Sequence, residues 1–402
     1  MIERSTRRVV ATVGFGQLLA WASSYYLVAV LGPKMAAGLG LANVAVYAMF
    51  SAALLVSAVL GPYAGRKVDV FGGRVVLIAS NLIFAAALAM MAVAPNAAVL
   101  LLGWLILGAA MPFGLYDAGF ATVVRHFGQR GRAGIVTVTL IAGFASSLSW
   151  PLSHWWESHY GWRAACGFWA LAHLLIGLPL HGFGLPKDAR AQATPPSMVR
   201  ASPAATHPWR VMALLMAAYA ATGFVFAALA AHLPRLLQAA GCTPTAAVSA
   251  AAVVGVCQVL ARIVEAGYLK RFNPFVSAYL ATLLHPIGAL ALWIFGAPAA
   301  VFFTALHGGG VGIMTIVKGT LPLALFGPAG FGQRGGTLEA PSKVMQAAAP
   351  VVFSVCLDRL GVQVLWLTVG LSLAAFAALR WVGTHAALRD EHPEPTAVAE
   401  ET

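Results

Sequence analysis

Charge is scarce in this sequence. Of 402 residues only 9% are Asp, Glu, Lys or Arg, and 60% are hydrophobic. A soluble globular chain carries roughly 25% charged residues, so a soluble enzyme of this length is excluded, as is a disordered chain. Cysteine is scarce too. The four residues Cys166, Cys242, Cys257 and Cys356 show no CxxC spacing, which excludes a disulfide framework and a cysteine zinc site. There is no GxxxxGK[ST], no HExxH and no GxSxG. The chain therefore brings no ATP-driven motor of its own and no recognisable hydrolase centre, and it reads as a non-enzyme without cofactor or metal.

What remains is a polytopic, all-α membrane protein. Spanning helices need about 20 apolar residues, whereas outer-membrane strands need about 10 in alternation. The apolar runs here are continuous and of helical length. Twelve spans are expected, at 9–31, 43–64, 75–94, 97–124, 135–156, 163–185, 209–232, 245–269, 275–296, 299–326, 342–359 and 362–383. The basic start MIERSTRRVV resembles a signal n-region, but the apolar run after it is too long for an h-region and reads as a first span.

The net charge of +12 is explained by topology rather than by nucleic acid. Nineteen of the 25 Lys and Arg fall on the side of the N-terminus, four (Lys34, Arg163, Arg235, Arg359) on the other, and two (Arg262, Lys318) within spans. The positive-inside rule then puts both termini in the cytoplasm. The polar stretch 186–208 splits the chain into a six-span bundle at 1–185 and another at 209–384. A mobile tail follows at 385–402.

The halves repeat. FGQRG occurs at Phe127–Gly131 and again at Phe331–Gly335, after the fourth and tenth spans. Gly65-Arg66-x-x-Asp69 with Arg74 matches Ala261-Arg262-x-x-Glu265 with Lys270, after the second and eighth spans. Duplicated halves with a midplane site between them are a transporter architecture.

The segment Gly65-x-x-x-Asp69-x-x-Gly72-x-Arg74-x-x-Leu77 resembles the signature loop of the major facilitator superfamily, and Gly161-Trp162-Arg163 is similar to a stretch in many bacterial members. Val70 and Gly73 stand where the family often has basic residues. The resemblance implies a rocker-switch fold, with helices 1, 4, 7 and 10 lining a central cavity. It also implies a cytoplasmic gate in which Asp69 meets the start of helix 11, near Pro341–Lys343. Gly65, Arg66, Gly72, Arg74 and Arg125 are assigned to that gate, with Arg262 and Glu265 as its second copy.

Charges at membrane depth are functional by default, since each costs about 2.5–3.5 kcal/mol to insert. Asp117 in span 4 and Lys318 in span 10 lie at equivalent depths. Three roles are open to them: a direct pair, a proton site (Asp117) beside an anion site (Lys318), or burial against neighbouring helices. Gln17, Trp21 and Tyr25 share a face of span 1, Tyr219 lies in span 7 and His307 in span 10. All are candidate cavity residues. Met212 and Met216 look like the thioether pair of a copper-importing branch, but span 8 lacks that branch's His-x-x-x-Met.

The function expected is a monomeric secondary transporter in a bacterial inner membrane, coupled to protons, with a small organic anion as substrate. Proton-driven efflux of amphipathic compounds is the alternative, with copper import, a channel or a receptor behind it.

Overall fold

The computed structural model describes residues 2–187 and 208–390, and the described residues are helical throughout, without a strand. They contain ten stretches long and apolar enough to cross a membrane. Two of these, Ala97–Ala142 and Phe331–His385, run to 46 and 55 residues, far beyond one crossing. Short 3-10 turns, Gly128–Arg130 and Gly361–Val364, interrupt them. That is why ten continuous stretches stand where twelve separated spans are expected. Most of the expected linker and the tail beyond Asp390 lie outside the described residues. The segment 385–390, read from sequence as part of a mobile tail, continues the last helix.

The first span is broken. α1 (Ile2–Ser23) and α2 (Leu27–Gly38) are separated at Ser24–Tyr26. Ser24 Oγ donates to the Ala20 carbonyl at 2.5 Å, and the Tyr26 amide reaches back five residues to Trp21. Such back-bonding bends helices. α3 (Asn43–Phe71) and α4 (Gly73–Ala92) meet at Gly72, whose φ of +86° lets the chain reverse tightly.

α5 (Ala97–Gly114) contains Pro112 and ends at Leu115, which is extended; α6 (Tyr116–Phe127) starts afresh with Asp117 in its first turn. The lone amide of Gln17 meets this break, donating to the Gly114 carbonyl at 2.7 Å. α7 (Gly131–Ala142), α8 (Ala145–Ala172) and α9 (Leu178–Gly184) follow, with a non-helical Gly161 inside α8. The π-helical turn His173–Gly177 joins α8 to α9.

After residue 207 come α10 (Pro208–Ala239), α11 (Pro244–Gly267), α12 (Pro274–Phe295), α13 (Ala300–Phe326), α14 (Phe331–Leu360) and α15 (Leu365–Asp390). α14 begins at Phe331, not at residue 342 as hydropathy implies. Hydropathy trims the polar run FGQRGGTLEA from the span, yet that run is helical.

One polar network holds the cavity-lining α1 to its support. Ser23 Oγ contacts His173 Nε2 at 2.7 Å, His173 Nδ1 contacts Asn81 Oδ1 at 2.8 Å, and Asn81 Nδ2 contacts His181 Nδ1 at 2.8 Å. All four side chains are buried. His173 and His181 look isolated in sequence, and Asn81 on α4 joins them. Asn81→Leu orphans two ring nitrogens, each at a cost of about 1–3 kcal/mol. We expect its melting temperature in detergent to fall by several degrees; an unchanged melt contradicts the network's structural role.

Candidate transport site

Two layers of contact join the segment before residue 186 to the segment after 207. The first lies among the loops. Gly61 and Gly65 on α3 face Gly336 and Gly332 on α14 in antiparallel register. A Cβ at Gly65 would lie 1.8 Å from the Gly332 carbonyl oxygen, and one at Gly336 2.2 Å from that of Gly61. Small residues four apart permit this backbone approach. The carboxylate of Asp69 then caps α14: Oδ1 accepts from the Gly332 amide at 3.0 Å and Oδ2 from the Gln333 amide at 2.8 Å. A carboxylate at a helix N-terminus stabilises by about 0.3–1 kcal/mol, or up to ~2 when partly buried. Asp69 thus meets the start of that helix, ten residues before the expected Pro341–Lys343, because the helix starts earlier.

The second copy makes an analogous contact. Glu265 on α11 is fully buried, pairs with Arg132 at 3.3 Å, and accepts from Ser277 Oγ at 3.2 Å. Arg132 directly follows the first FGQRG, so an acid from the opposite half meets the chain within or beside each copy of that segment. Of the other residues assigned to the gate, Arg125 donates to the Asp69 carbonyl at 2.5 Å. Arg74 turns to the Gly182 carbonyl, also at 2.5 Å, within its own half. Arg66 is exposed. Arg262 does not join the loop layer; it lines the cavity.

The second layer is that cavity, about 190 Å³ in volume. Trp21, Tyr25, Asp117, Lys318 and His307 all line it, as expected from sequence. Gln17 and Tyr219 do not: both are fully buried. Tyr219 lies under Lys318, whose ammonium stands 5.3 Å from its ring centre. Met212 and Met216 pack against the apolar cluster around Leu215 and Tyr219.

Asp117 and Lys318 are not bonded to each other. Asp117 pairs with Lys343 at 2.5 Å, and Lys318 pairs with Glu339 at 3.0 Å while donating to Ser342 at 3.1 Å. The direct pair is therefore replaced by two pairs, both made with α14. Tyr25 donates to Gln346 Oε1 at 3.0 Å, and Gln346 bonds Ser342 at 3.1 Å. Glu339, Ser342, Lys343 and Gln346 recur at i, i+3, i+4 and i+7, a polar stripe on one helical face. Sequence reading misses Glu339 and takes Lys343 for an inner-side charge at the start of a span, although that spacing is visible.

Arg262 crosses from α11 towards α7. Its Nη1 donates to the Thr139 carbonyl at 3.3 Å and its Nη2 to Thr315 Oγ1 at 3.5 Å, while Nε has no partner. Both bonds are longer than the usual 2.7–3.2 Å. No carboxylate among the described residues pairs with it. The cavity therefore holds three cations, Arg262, Lys318 and Lys343, against two anions, Asp117 and Glu339. Its walls are aromatic: Trp21 lies 5.2 Å from Tyr25 and 5.0 Å from Tyr116, and Tyr116 stacks on Phe120 at 4.9 Å.

A family model, "Major Facilitator Superfamily", matches residues 13–317. No curated protein sequence matches the chain. Among solved structures, the human organic anion transporter MFSD10 (TETRAN) is similar at a TM-score of 0.73 and 18% identity, covering 93% of this chain and 99% of its own. FucP, a major facilitator transporter in the outward conformation, is similar at 0.71 and 14% identity, covering 94% and 99%. A further structure of FucP, the E. coli fucose:proton symporter, gives 0.64 and 16%, covering 93% and 98%. At these identities the likeness speaks for the fold.

Proposed function

The chain belongs to the Major Facilitator Superfamily, and on that premise we propose that it carries a small organic anion across the membrane by alternating access, coupled to protons. The cavity's unmatched guanidinium carries this reading. Two of the three lining cations are neutralised by lining carboxylates, and Arg262 is left to meet a negative charge brought by the solute. A charge buried without a partner is costly, so an anion entering here relieves a cost already present.

Divided at the turns Gly128–Arg130 and Gly361–Val364, the ten long stretches make twelve passes. These form bundles at 1–185 and 209–384, with both termini in the cytoplasm of a bacterial inner membrane and the chain acting as a monomer. The closed layer of Asp69, Gly65 and Glu265 is then the cytoplasmic gate, and the cavity communicates with the opposite side. Asp117 and Glu339 are the carboxylates placed to take a proton as their lysine partners move away.

Size argues against efflux of bulky amphipathic compounds. Sites for drug-sized ligands measure about 300–1,000 Å³, and this cavity is smaller.

Net uptake into proteoliposomes under an imposed pH gradient tests the proposal, with labelled acetate, lactate, succinate and benzoate as a panel. Saturable uptake of at least one of these, abolished by a protonophore, is the expected result. Flux that never saturates points to a channel, and flux indifferent to the gradient removes the coupling.

A further inference from the structure

Resting on the anion reading, we infer that the solute is a monocarboxylate with a flat aromatic body, bound with its carboxylate on Arg262 and its ring against the wall of Trp21 and Tyr116. Three observations converge on this.

The first is the state of Arg262. The residue is 6% exposed, yet it makes only two long bonds and leaves Nε unpartnered. A planar guanidinium fork matches a carboxylate bidentately. The excess of lining charge is a single positive one. A monoanion neutralises it, whereas a dianion such as sulfate or succinate leaves a second charge buried without compensation.

The second is what surrounds it. Tyr26 and Tyr116 line the same cavity as Arg262. Tyr116 is stacked on Phe120, and Trp21 touches Tyr116, Tyr25 and Tyr26 at 5.0, 5.2 and 6.0 Å. The cation therefore shares its cavity with an aromatic wall. Aromatic pairs gain about 2- to 12-fold in affinity beyond their buried area, so an aromatic body is preferred to an aliphatic one of equal size.

The third is Trp21 itself. Its Nε1–H is buried and has no acceptor. Buried indoles usually find one. Trp21 and Arg262 line the same cavity, so a carboxylate bound there is expected to offer acceptor oxygens to both. Lys318, for which an anion site is one of the roles open from sequence, is already engaged by Glu339.

The test is binding to the purified full-length protein by titration calorimetry, with benzoate, cyclohexanecarboxylate, acetate and neutral benzamide. Benzoate is expected to bind tightest, cyclohexanecarboxylate about 2- to 12-fold more weakly, acetate weaker still, and benzamide not measurably. Arg262→Gln is expected to weaken benzoate about 10- to 100-fold, the scale of a charged hydrogen-bonded contact. Arg262→Lys, which keeps the charge and loses the fork, is expected to fall between the two, with melting curves showing both variants folded. Trp21→Phe keeps the ring but removes the donor and is expected to weaken benzoate several-fold. Acetate or cyclohexanecarboxylate binding as tightly as benzoate overturns the aromatic assignment while the anion carrier stands. Unchanged benzoate affinity in Arg262→Gln overturns the role of Arg262. Failure of all three carboxylates to bind overturns this inference and the anion reading together.

Discussion

Removing the Asp117 carboxylate is expected to cut counterflow at least about tenfold, and exchanging it with Lys343 to restore much of the loss. The two side chains meet at 2.5 Å, each only 12–14% exposed. They tie α6 to α14 across the two halves. Deleting one partner of a buried ion pair costs about 3–5 kcal/mol because the other charge is stranded. Water at the cavity lowers that figure here, but even 1.4 kcal/mol is a factor of about ten. Asp117→Ala is therefore expected to melt earlier in detergent, and Asp117→Ala with Lys343→Ala to recover most of the loss. The reversed pair, Asp117→Lys with Lys343→Asp, re-forms the contact and is expected to transport. The control is Asp117→Lys with Lys318→Asp. It sets two lysines against each other at positions 117 and 343 and an aspartate against Glu339, and it is expected to stay inactive. If this control transports and the 117/343 exchange does not, the pairing described here is wrong.

Why the sequence led to Asp117 and Lys318 but not to their partners is a matter of solvent. Hydropathy places charges outside the hydrocarbon, so Glu339, in a polar run, falls to a loop and Lys343 to the cytoplasmic edge of a span. In fact the helix continues through them, because their face meets a cavity and not lipid. The stripe Glu339, Ser342, Lys343, Gln346 is a periodicity signal, and periodicity survives where hydropathy fails. The capping role of Asp69 was legible through the resemblance of its loop to the family's signature, which implies that this carboxylate meets a helix start in the other half. Its partner residues were displaced by the same misplaced helix start. Gln17 needed a polar partner and its Nε2 found one in a carbonyl at the α5 break, while its Oε1 stays buried without one. Tyr219 shares a helical face with candidate cavity residues, but its burial under Lys318 is a tertiary fact that spacing alone does not reveal.

Gly65→Val is expected to reverse which side of the protein reaches the cavity. A Cβ at this position would lie 1.8 Å from the Gly332 carbonyl oxygen and 2.8 Å from the Gln333 amide nitrogen. These are backbone atoms, so no side chain can swing away to make room. Forcing extra atoms into a packed contact costs about 1–3 kcal/mol, which is about a 5- to 150-fold shift between two states. The strain exists only where α3 and α14 touch. A state in which the halves part at that layer escapes it, and the Asp69 cap on α14 is lost in the same movement. The substitution therefore disfavours one conformation without damaging the core of either half. Thr222 lines the cavity and is small and half-buried, so Thr222→Cys in a background without the four native cysteines gives a reporter. With Gly65 intact, an impermeant maleimide is expected to label it from the side opposite the FGQRG segments. In the Gly65→Val protein, labelling from that side is expected to slow and labelling from the FGQRG side to quicken, each about 5- to 150-fold. Equal labelling of the two proteins from both sides would mean that the glycine contact does not set the conformational balance. Gly65→Ala adds the same Cβ with no further bulk and is expected to give a smaller shift in the same direction, because the clash already begins at that first carbon.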